Sequence, residues 1–168
     1  AIWPHPFAAE LSVTIFGDTL ETALLIRNTG DAPFTFTAAL HSYLRVTDVG
    51  TVSVHGLQGL RYRDKVLDNA ACVEQHESLS IVDEVDRIYF NAPSCIELHD
   101  GARRLKVHHE HFPDTVVWNP GPEMAADLHD LDDGGWQQML CFEAAVIGTP
   151  VTLAPGTQWR AAQILEAA

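Results

Sequence analysis

The sequence predicts an all-β sandwich, and three features of its 168 residues support this prediction. Short apolar runs alternate with a period of two along most of the chain, and turn residues separate them at short intervals. No long segment repeats its apolar residues every 3.6 positions, as an amphipathic helix would. No internal repeat or low-complexity linker divides the chain. We therefore expect a single domain over residues 1–168, built of packed sheets.

The first two strands are predicted to form a β-hairpin. Apolar and polar residues alternate over residues 8–16 and again over residues 20–27. Gly17 and Asp18 lie between these runs, and such a pair is typical of a tight hairpin turn. A second turn over residues 28–31 then leads the chain into the next strand.

The next segment, residues 33–47 with the sequence PFTFTAALHSYLRVT, is predicted to be one long strand. Four apolar side chains fall on one of its faces, namely Phe34, Phe36, Ala38 and Leu40. The opposite face carries small and polar residues together with His41 and Tyr43. The alternation therefore directs one face into a core and places a histidine on an open, polar face.

The rest of the chain predicts short strands and one loop. The predicted strands cover residues 51–54, 60–63, 81–82, 87–90, 94–98, 103–108, 115–118, 139–147, 151–153 and 158–164. Glycine, proline, aspartate and asparagine separate them, as turns require. Residues 121–135 are rich in acidic side chains, and we expect a solvated loop there with at most a single turn of helix.

The charge of the chain excludes several classes of partner. Ten basic and 23 acidic residues give a formal net charge of −13, whereas nucleic acids and anionic membranes are bound through clustered Lys and Arg. We therefore expect no nucleic acid and no membrane partner. The same charge repels an anionic small molecule, so a phosphorylated ligand would need a local group of arginines.

The cysteines and the N-terminus bear on the location of the protein. Cys72, Cys95 and Cys141 are odd in number and lack a CxxC spacing, which favours a reducing compartment over a disulfide framework. No apolar run reaches the roughly 18 to 20 residues of a membrane span. The first residues do not resemble a signal peptide, and no initiator methionine is present. We expect a cytoplasmic protein whose chain begins inside a longer one.

Two of the predicted strands carry candidate catalytic residues. In the strand over residues 139–147, Phe142 and Ala144 share one face, and Glu143 lies on the other. A carboxylate within an apolar strand is paired, protonated or at the lining of a pocket, because burying a lone charge is costly. We expect Glu143 to face the same groove as His41 and to exchange protons with a ligand. A structural histidine and an edge-strand glutamate that opposes aggregation are the alternatives.

Two further groups are candidates for binding. Asp86, in the segment DEVDRIY, is either part of a charged surface loop or an acceptor for the hydroxyl groups of a ligand. His109 and His111 share a face if their segment is a strand, and with Glu110 they could hold zinc or iron. No second group of ligands at suitable spacing accompanies them, and a solvated run of histidines is the alternative.

Six segments of the chain occur together in a fixed order. They are FTAALHSYLRV, GLQGLRYRDKV, DEVDRIY, DTVVWNPGPE, CFEAAV and LAPGTQW. In combination they resemble the hexose-6-phosphate mutarotases (glucose-6-phosphate 1-epimerases) of the aldose 1-epimerase superfamily. The resemblance covers essentially the whole chain, from the segment WPHPF near the N-terminus to the last predicted strand.

The resemblance implies a galactose-mutarotase-like β-supersandwich. It also implies an enzyme without metal or other cofactor that interconverts the α and β anomers of a sugar phosphate, namely an aldohexose 6-phosphate. At the matching positions, His41 resembles the general acid, Glu143 the general base, and Asp86 the acid that holds sugar hydroxyls. Trp118 and Asn119 match a family motif whose role the chemistry of the residues does not assign.

The chain departs from the family on its N-terminal side. The leading strands of the sandwich, with a histidine segment and several arginines associated with the phosphate, have no counterpart. The chain therefore resembles roughly the C-terminal two-thirds of such a protein. The remaining candidates for a phosphate contact are Arg45, Arg61, Arg63 and Arg87, and we expect weak or undetectable phosphate affinity. Without the leading strands, exposed sheet edges make self-association an expectation.

Two other functions remain as alternatives. One is a carbohydrate-binding β-sandwich without catalysis, or an inactive fragment of the epimerase, and a wide separation of His41 and Glu143 would favour it. The other is a metal-dependent enzyme built on His109 and His111, which metal analysis of the purified protein would decide.

Overall fold

Fourteen β-strands dominate the computed structural model, which describes residues 3–168. In chain order they are β1 (Phe7–Phe16), β2 (Thr19–Asn28), β3 (Phe34–Leu40), β4 (Tyr43–Arg45), β5 (Ser53–His55), β6 (Arg61–Asp64), β7 (Ala70–Val73), β8 (Ser78–Ser80), β9 (Val85–Tyr89), β10 (Cys95–Asp100), β11 (Arg103–Glu110), β12 (Asp114–Asn119), β13 (Met139–Leu153) and β14 (Gln158–Ala167). The helix α1 (Gly121–Ala125) and two 3-10 turns, Val49–Thr51 and Gly135–Gln138, lie among them. No helix within residues 3–168 is long and apolar enough to cross a membrane.

The strands form two antiparallel sheets. The first sheet has the strand order β1-β2-β14-β11-β10-β5-β8, and the second has the order β3-β13-β12-β9-β6-β7. The short strand β4 also belongs to the second sheet, where it pairs with β13 beyond the end of β3. Many neighbours in each sheet come from distant parts of the chain, so tertiary packing sets much of the register.

The main core lies between the two sheets. Val54, Ile96 and Val107 project from the first sheet and pack in one buried cluster with Val117 and Phe142 of the second. Burial of a side chain of this size stabilises the fold by about 1.5–3 kcal/mol relative to exposure. Because successive residues of a strand point to opposite faces, the second sheet turns its other face away from this core.

The prediction of an all-β fold is confirmed, and so are most of the predicted strands. β1 and β2 pair antiparallel with Phe16 opposite Thr19, as the predicted hairpin requires. The predicted loop over residues 121–135 contains the short helix α1 and then a series of turns. Sequence alone was sufficient for these elements because their signals are local.

The prediction of one strand over residues 33–47 is wrong. β3 ends at Leu40 and β4 begins at Tyr43, so His41 and Ser42 lie between two strands. His41 and Tyr43 nevertheless remain on the same side of the sheet, with their rings stacked at a centroid distance of 4.9 Å.

Hydrogen bonds of Ser42 explain this break. Its N–H donates to the carbonyl of Leu40, which closes a tight turn around His41. Its carbonyl accepts from the N–H of Phe142, and its hydroxyl donates to Gln163 Oε1 on the first sheet. These contacts replace regular strand pairing for two residues and turn the imidazole of His41 outward.

Three other boundaries differ from the predictions. The strands predicted over residues 139–147 and 151–153 form the single strand β13, whose pairing with β3 is interrupted by a shift of register. The strand predicted over residues 81–82 is also wrong, since β8 ends at Ser80. β7 was not predicted, because its sequence AACV lacks an alternation of large apolar and polar residues.

Candidate active site

The face of the second sheet that points away from the core carries the candidate residues, and we call it the outer face. On β13, Phe142 and Ala144 belong to buried clusters between the sheets, so Glu143 projects to the outer face. A separate apolar cluster lies on the outer face and includes Ile88 and Val116. On the outer face, the ionisable side chain of Glu143 therefore lies next to an apolar floor.

One row of side chains crosses the outer face perpendicular to the strands, and we call it the Glu143 row. Glu143 of β13 lies opposite Val116 of β12. Val116 in turn lies opposite Ile88 of β9, and Ile88 lies opposite Arg63 of β6. With neighbouring strands about 4.8 Å apart, the row spans roughly 14 Å between the backbones of its first and last residues.

His41 lies beside the first residue of this row. Its Nε2 atom is 3.3 Å from Oε1 of Glu143. The His41 side chain is 51% exposed, whereas that of Glu143 is 8% exposed. The imidazole stacks on the ring of Tyr43 and meets the ring of Trp118 edge-on at a centroid distance of 5.7 Å. These two rings hold a partly solvated imidazole against a buried carboxyl.

The surroundings of Glu143 alter its acidity. Burial raises the pKa of Glu143 above its ordinary value, although the charges of His41 and Lys65 oppose that shift. The charge of Asp86 raises the pKa further. A carboxyl whose pKa is raised accepts a proton more readily than an ordinary glutamate does. The arrangement therefore suits reversible proton transfer.

Asp86 lies on the outer face opposite Trp118, in the row next to the Glu143 row. Its Oδ2 accepts a hydrogen bond from Lys65 Nζ at 3.1 Å. Its Oδ1 is buried and, among residues 3–168, has no hydrogen-bond partner. Buried carboxylate oxygens normally have a partner, so a free Oδ1 near His41 and Glu143 is available to a hydroxyl group of a ligand.

Trp118 and Asn119 have different roles in the structure. Trp118 forms a wall of the site, since its ring contacts both His41 and Tyr43. Asn119 is buried, and its side chain bonds the backbone at Trp136, Met139 and Gly121. It therefore fixes the loop after β12 and does not face the site. Lys65 carried no sequence signal, because its contact with Asp86 depends on the pairing of β6 with β9.

Arg87, one of the candidate phosphate contacts, is already engaged. Its Nε donates to Asp64 Oδ2 at 3.0 Å, and its Nη1 donates to Glu74 Oε2 at 3.2 Å. The phenol of Tyr89 also donates to Glu74. Burial lowers the pKa of the Arg87 guanidinium, but the hydrogen bond to Tyr89 and the nearby side chains of Tyr62 and Asp64 outweigh it and raise the pKa above its ordinary value. Arg87 thus belongs to a structural network and is not available to a ligand.

His109 and His111 do not form a shared face. His109 lies in β11 and is buried, with its ring 6.4 Å from that of Phe142. His111 follows the end of β11 with a φ of 57° and bonds the carbonyl of Arg160 through Nδ1. The expectation that they share a strand face is therefore wrong. In the described part of the chain, no three His, Cys, Asp or Glu side chains are grouped as metal ligands.

The sequence profile of the aldose 1-epimerase family matches residues 1–166. A protein of Cenchrus ciliaris, provisionally named a glucose-6-phosphate 1-epimerase, is 37% identical over 95% of this chain and 50% of its own length. A protein of Salmonella typhimurium with the same provisional name is 35% identical over 88% of this chain and 49% of its own length.

Solved structures share the fold. The crystal structure of a protein from Salmonella typhimurium, provisionally named a mutarotase, superposes with a TM-score of 0.89 at 33% identity. The match covers 99% of this chain and 55% of that one. The galactose-mutarotase-like architecture predicted from the sequence is thus confirmed. The chain spans about half the length of the curated relatives it matches, compared with the two-thirds expected from the motifs.

Proposed function

This chain belongs to the aldose 1-epimerase family, and on that premise we propose that it carries the site that interconverts the α and β anomers of an aldohexose 6-phosphate. The observation that supports this proposal most strongly is the 3.3 Å contact between His41 Nε2 and Glu143 Oε1 on the outer face. A proton donor and a proton acceptor are thereby adjacent to an apolar floor on which a sugar ring can lie.

The reaction consists of two coupled proton transfers. The carboxylate of Glu143 takes the proton of the anomeric hydroxyl, while the imidazolium of His41 protonates the ring oxygen. The bond between C1 and the ring oxygen breaks, and an open-chain aldehyde forms. After rotation about the C1–C2 bond, ring closure with the two roles reversed returns both protons and gives the other anomer. No oxidation state changes, so proton transfer is sufficient chemistry for the reaction.

Asp86 is proposed to hold the sugar. Its buried Oδ1 has a free acceptor position among residues 3–168, and Lys65 holds the other oxygen at 3.1 Å. A hydroxyl group of the sugar that donates to Oδ1 would satisfy this oxygen and fix the ring relative to Glu143. A carbohydrate-binding sandwich without catalysis is not favoured, because the proton donor and acceptor are in contact.

Substitution of the two proton-transfer residues tests the proposal. We expect Glu143→Gln and His41→Asn each to reduce the rate of anomer exchange about 10²- to 10⁴-fold, since each removes one acid–base group. The rate is measured by NMR exchange spectroscopy on glucose 6-phosphate. The free energy of unfolding of Glu143→Gln should rise at neutral pH, because a buried carboxyl with a raised pKa is replaced by a neutral amide.

A matched pair on the first sheet provides the control. His108 Nε2 lies 3.1 Å from Glu166 Oε2, so His108→Asn and Glu166→Gln make the same chemical changes away from the outer face. These variants should keep the rate of the unsubstituted protein. Rates equal to that of the unsubstituted protein in both Glu143→Gln and His41→Asn would contradict the proposal, and so would the absence of any acceleration over buffer.

We also propose a cytoplasmic location. Cys72, Cys95 and Cys141 are all free thiols, and Cys72 and Cys95 are partly exposed. Free, accessible thiols are typical of a reducing compartment. Thiol labelling in intact cells that detects oxidised Cys72 and Cys95 would contradict this assignment.

A further inference from the structure

The end of β6 fixes the position of Lys65 beside β9. β6 ends at Asp64, whose buried side chain accepts hydrogen bonds from Arg87 Nε at 3.0 Å and from the N–H of Val66 at 3.1 Å. The N–H of Lys65 itself donates to the carbonyl of Asp86 at 2.9 Å. The backbone on both sides of Lys65 is therefore anchored, and its side chain reaches the outer face at Asp86.

The side chain of Lys65 forms an ion pair with Asp86. The Nζ atom lies 3.1 Å from Asp86 Oδ2, and within residues 3–168 Asp86 has no other ion-pair partner. The side chain of Asp86 is 19% exposed, whereas that of Lys65 is 46% exposed. An ion pair between two exposed side chains has little effect, but here one partner is largely buried. The ammonium group thus compensates a carboxylate that water solvates poorly.

Two carboxyl groups of the outer face oppose each other's ionisation. Glu143 and Asp86 lie in adjacent rows of side chains, on β13 and β9. Burial raises the pKa of Glu143, and the charge of Asp86 raises it further. Two like charges at one site favour protonation of one of them. The proposed reaction nevertheless requires two carboxylates, because Asp86 accepts a hydroxyl group and Glu143 accepts a proton.

The ammonium group of Lys65 offsets this repulsion. Its positive charge opposes the effect of burial and lowers the pKa of Glu143, as the charge of His41 does more strongly. His41, however, gives up its proton in the proposed reaction, so its charge is not constant. Lys65 takes no part in the proton transfers and supplies a constant positive charge to both carboxylates.

The other neighbours of Glu143 do not supply such a charge. Two titratable groups lie next to it, namely Tyr43 of β4 and Cys141 of β13. Burial raises the pKa of both groups, so neither is charged at neutral pH. β12 presents Val116 and Trp118 at this place, and neither side chain titrates. Within residues 3–168, the acidity of Glu143 is therefore governed by burial and by its three charged neighbours on the outer face.

We propose that Lys65 is a positioning residue of this site, whose ammonium group holds the Asp86 carboxylate in place and keeps Asp86 and Glu143 ionised at the same time. Its part in catalysis rests on the proposed function. Lys65 acts through the two carboxylates and not by contact with the reacting atoms of the sugar. Removal of its charge therefore changes the pH at which the site works as well as the rate.

The pH titration of Glu143 tests this role without reference to catalysis. The carboxyl carbon signals are followed by NMR in the 168-residue protein and assigned with the Glu143→Gln and Asp86→Asn variants. Lys65→Met removes the charge and keeps a long side chain. The Glu143 signal should then titrate at a higher pH, because a charge that favours the carboxylate is absent. Lys65→Arg keeps the charge and should return the titration toward that of the unsubstituted protein.

The matched control is Lys106→Met, which replaces the other lysine of the chain, on β11 of the first sheet. It removes the same charge away from the outer face, so the titration of Glu143 should not change. Identical titration of Glu143 in Lys65→Met and in the unsubstituted protein would overturn the proposal.

The pH dependence of anomer exchange is the second measurement. The acid limb of kcat/KM reports the ionisation of the essential base in the free protein. In Lys65→Met this limb should move to higher pH. KM for glucose 6-phosphate at neutral pH should rise about tenfold, because Asp86 loses a charged hydrogen-bond partner. A merely structural effect of the substitution would lower the rate equally at every pH.

The two measurements separate a failure of this inference from a failure of the proposed function. If Glu143 titrates at higher pH in Lys65→Met but the unsubstituted protein does not accelerate anomer exchange, the role of Lys65 stands and the epimerase proposal fails. If the unsubstituted protein accelerates the exchange, and Lys65→Met changes neither the titration nor the acid limb, the epimerase proposal stands and the role of Lys65 is refuted.

Discussion

At the scale of single residues, His109 is buried at a cost that no hydrogen bond offsets. Neither ring nitrogen has a partner among residues 3–168, and the side chain lies in the interior. Burial, with a smaller effect of the neighbouring His108, lowers the pKa of His109 to about 4. The native protein therefore holds this imidazole neutral at a pH at which the unfolded chain protonates it.

This difference predicts a loss of stability in acid. The unfolded chain binds a proton near pH 6.5, whereas the native protein does so only near pH 4. As far as His109 is concerned, the free energy of unfolding is therefore highest above pH 6.5. It falls by about 3 kcal/mol as the pH decreases to 4. His109→Leu should remove this part of the pH dependence, measured by urea unfolding across that range. His129→Leu, at an exposed position, is the matched control. If the free energy of unfolding of His109→Leu falls with pH as steeply as that of the unsubstituted protein, His109 is not the cause of the acid sensitivity.

At the scale of elements, one carboxylate fixes the irregular middle of β13. The pairing of β13 with β3 stops at Val146 and resumes at Val151 in a shifted register. Asp114 of β12 accepts hydrogen bonds from the N–H groups of Ile147 and Gly148 within this interval. A Cβ atom at Gly148 would lie 2.8 Å from a ring carbon of Phe90, so the close approach requires glycine. The irregular segment of β13 therefore depends on two residues, Asp114 and Gly148.

Asp114→Asn should destabilise the protein. The amide group presents fewer acceptor positions than the carboxylate, and at least one buried N–H loses a charged acceptor. We expect the free energy of unfolding to fall by about 2 kcal/mol. Urea denaturation measures the change, with Asp31→Asn at an exposed turn as the control. Equal stability of the two variants would show that the backbone contacts of Asp114 are dispensable.

At the scale of the whole molecule, the first sheet extends beyond the second. Leu11 of β1 lies opposite Leu24 of β2, and Leu24 lies opposite Ala161, a member of a buried cluster between the sheets. Leu11 therefore projects on the core side of the first sheet, yet it is 59% exposed. Val13 and Ile15 alternate with the same period and are 60% and 77% exposed. Within residues 3–168, β1 thus extends the core-facing surface of the first sheet beyond the strands of the second sheet.

This uncovered surface predicts self-association. We propose that a second copy of the chain covers the exposed side of β1, because an apolar face and an unpaired strand edge both favour pairing with another molecule. Val13→Lys should weaken association at least tenfold in sedimentation experiments over a range of concentrations. Val82→Lys, at a residue that is 86% exposed outside the strands, should leave it unchanged. A concentration-independent monomer in the unsubstituted protein would contradict the proposal.

The sequence by itself determined the fold class, the hairpin of β1 and β2, and the face on which Glu143 lies. These features depend on residue alternation and on local turns, and both signals are present in the sequence whatever the tertiary neighbours of a strand are. The same alternation placed His41 on the polar side of its segment. The turn at Ser42 that ends β3, however, depends on a hydrogen bond to Gln163, which is 121 positions away. A local pattern could not reveal that contact.

Tertiary structure alone decided which residues meet across the outer face. The Glu143 row joins β13, β12, β9 and β6, and the neighbours within it are set by pairing between strands that are distant in the chain. Consequently, the sequence could not show that, within residues 3–168, Arg87 is engaged in ion pairs while Arg63 is not, because it gives both the same charge and nearly the same setting. The fold engages Arg87 with Asp64 and leaves Arg63 at the end of the row. Strand order and register depend on packing between whole sheets, so a residue acquires its chemical surroundings only when the sheets assemble.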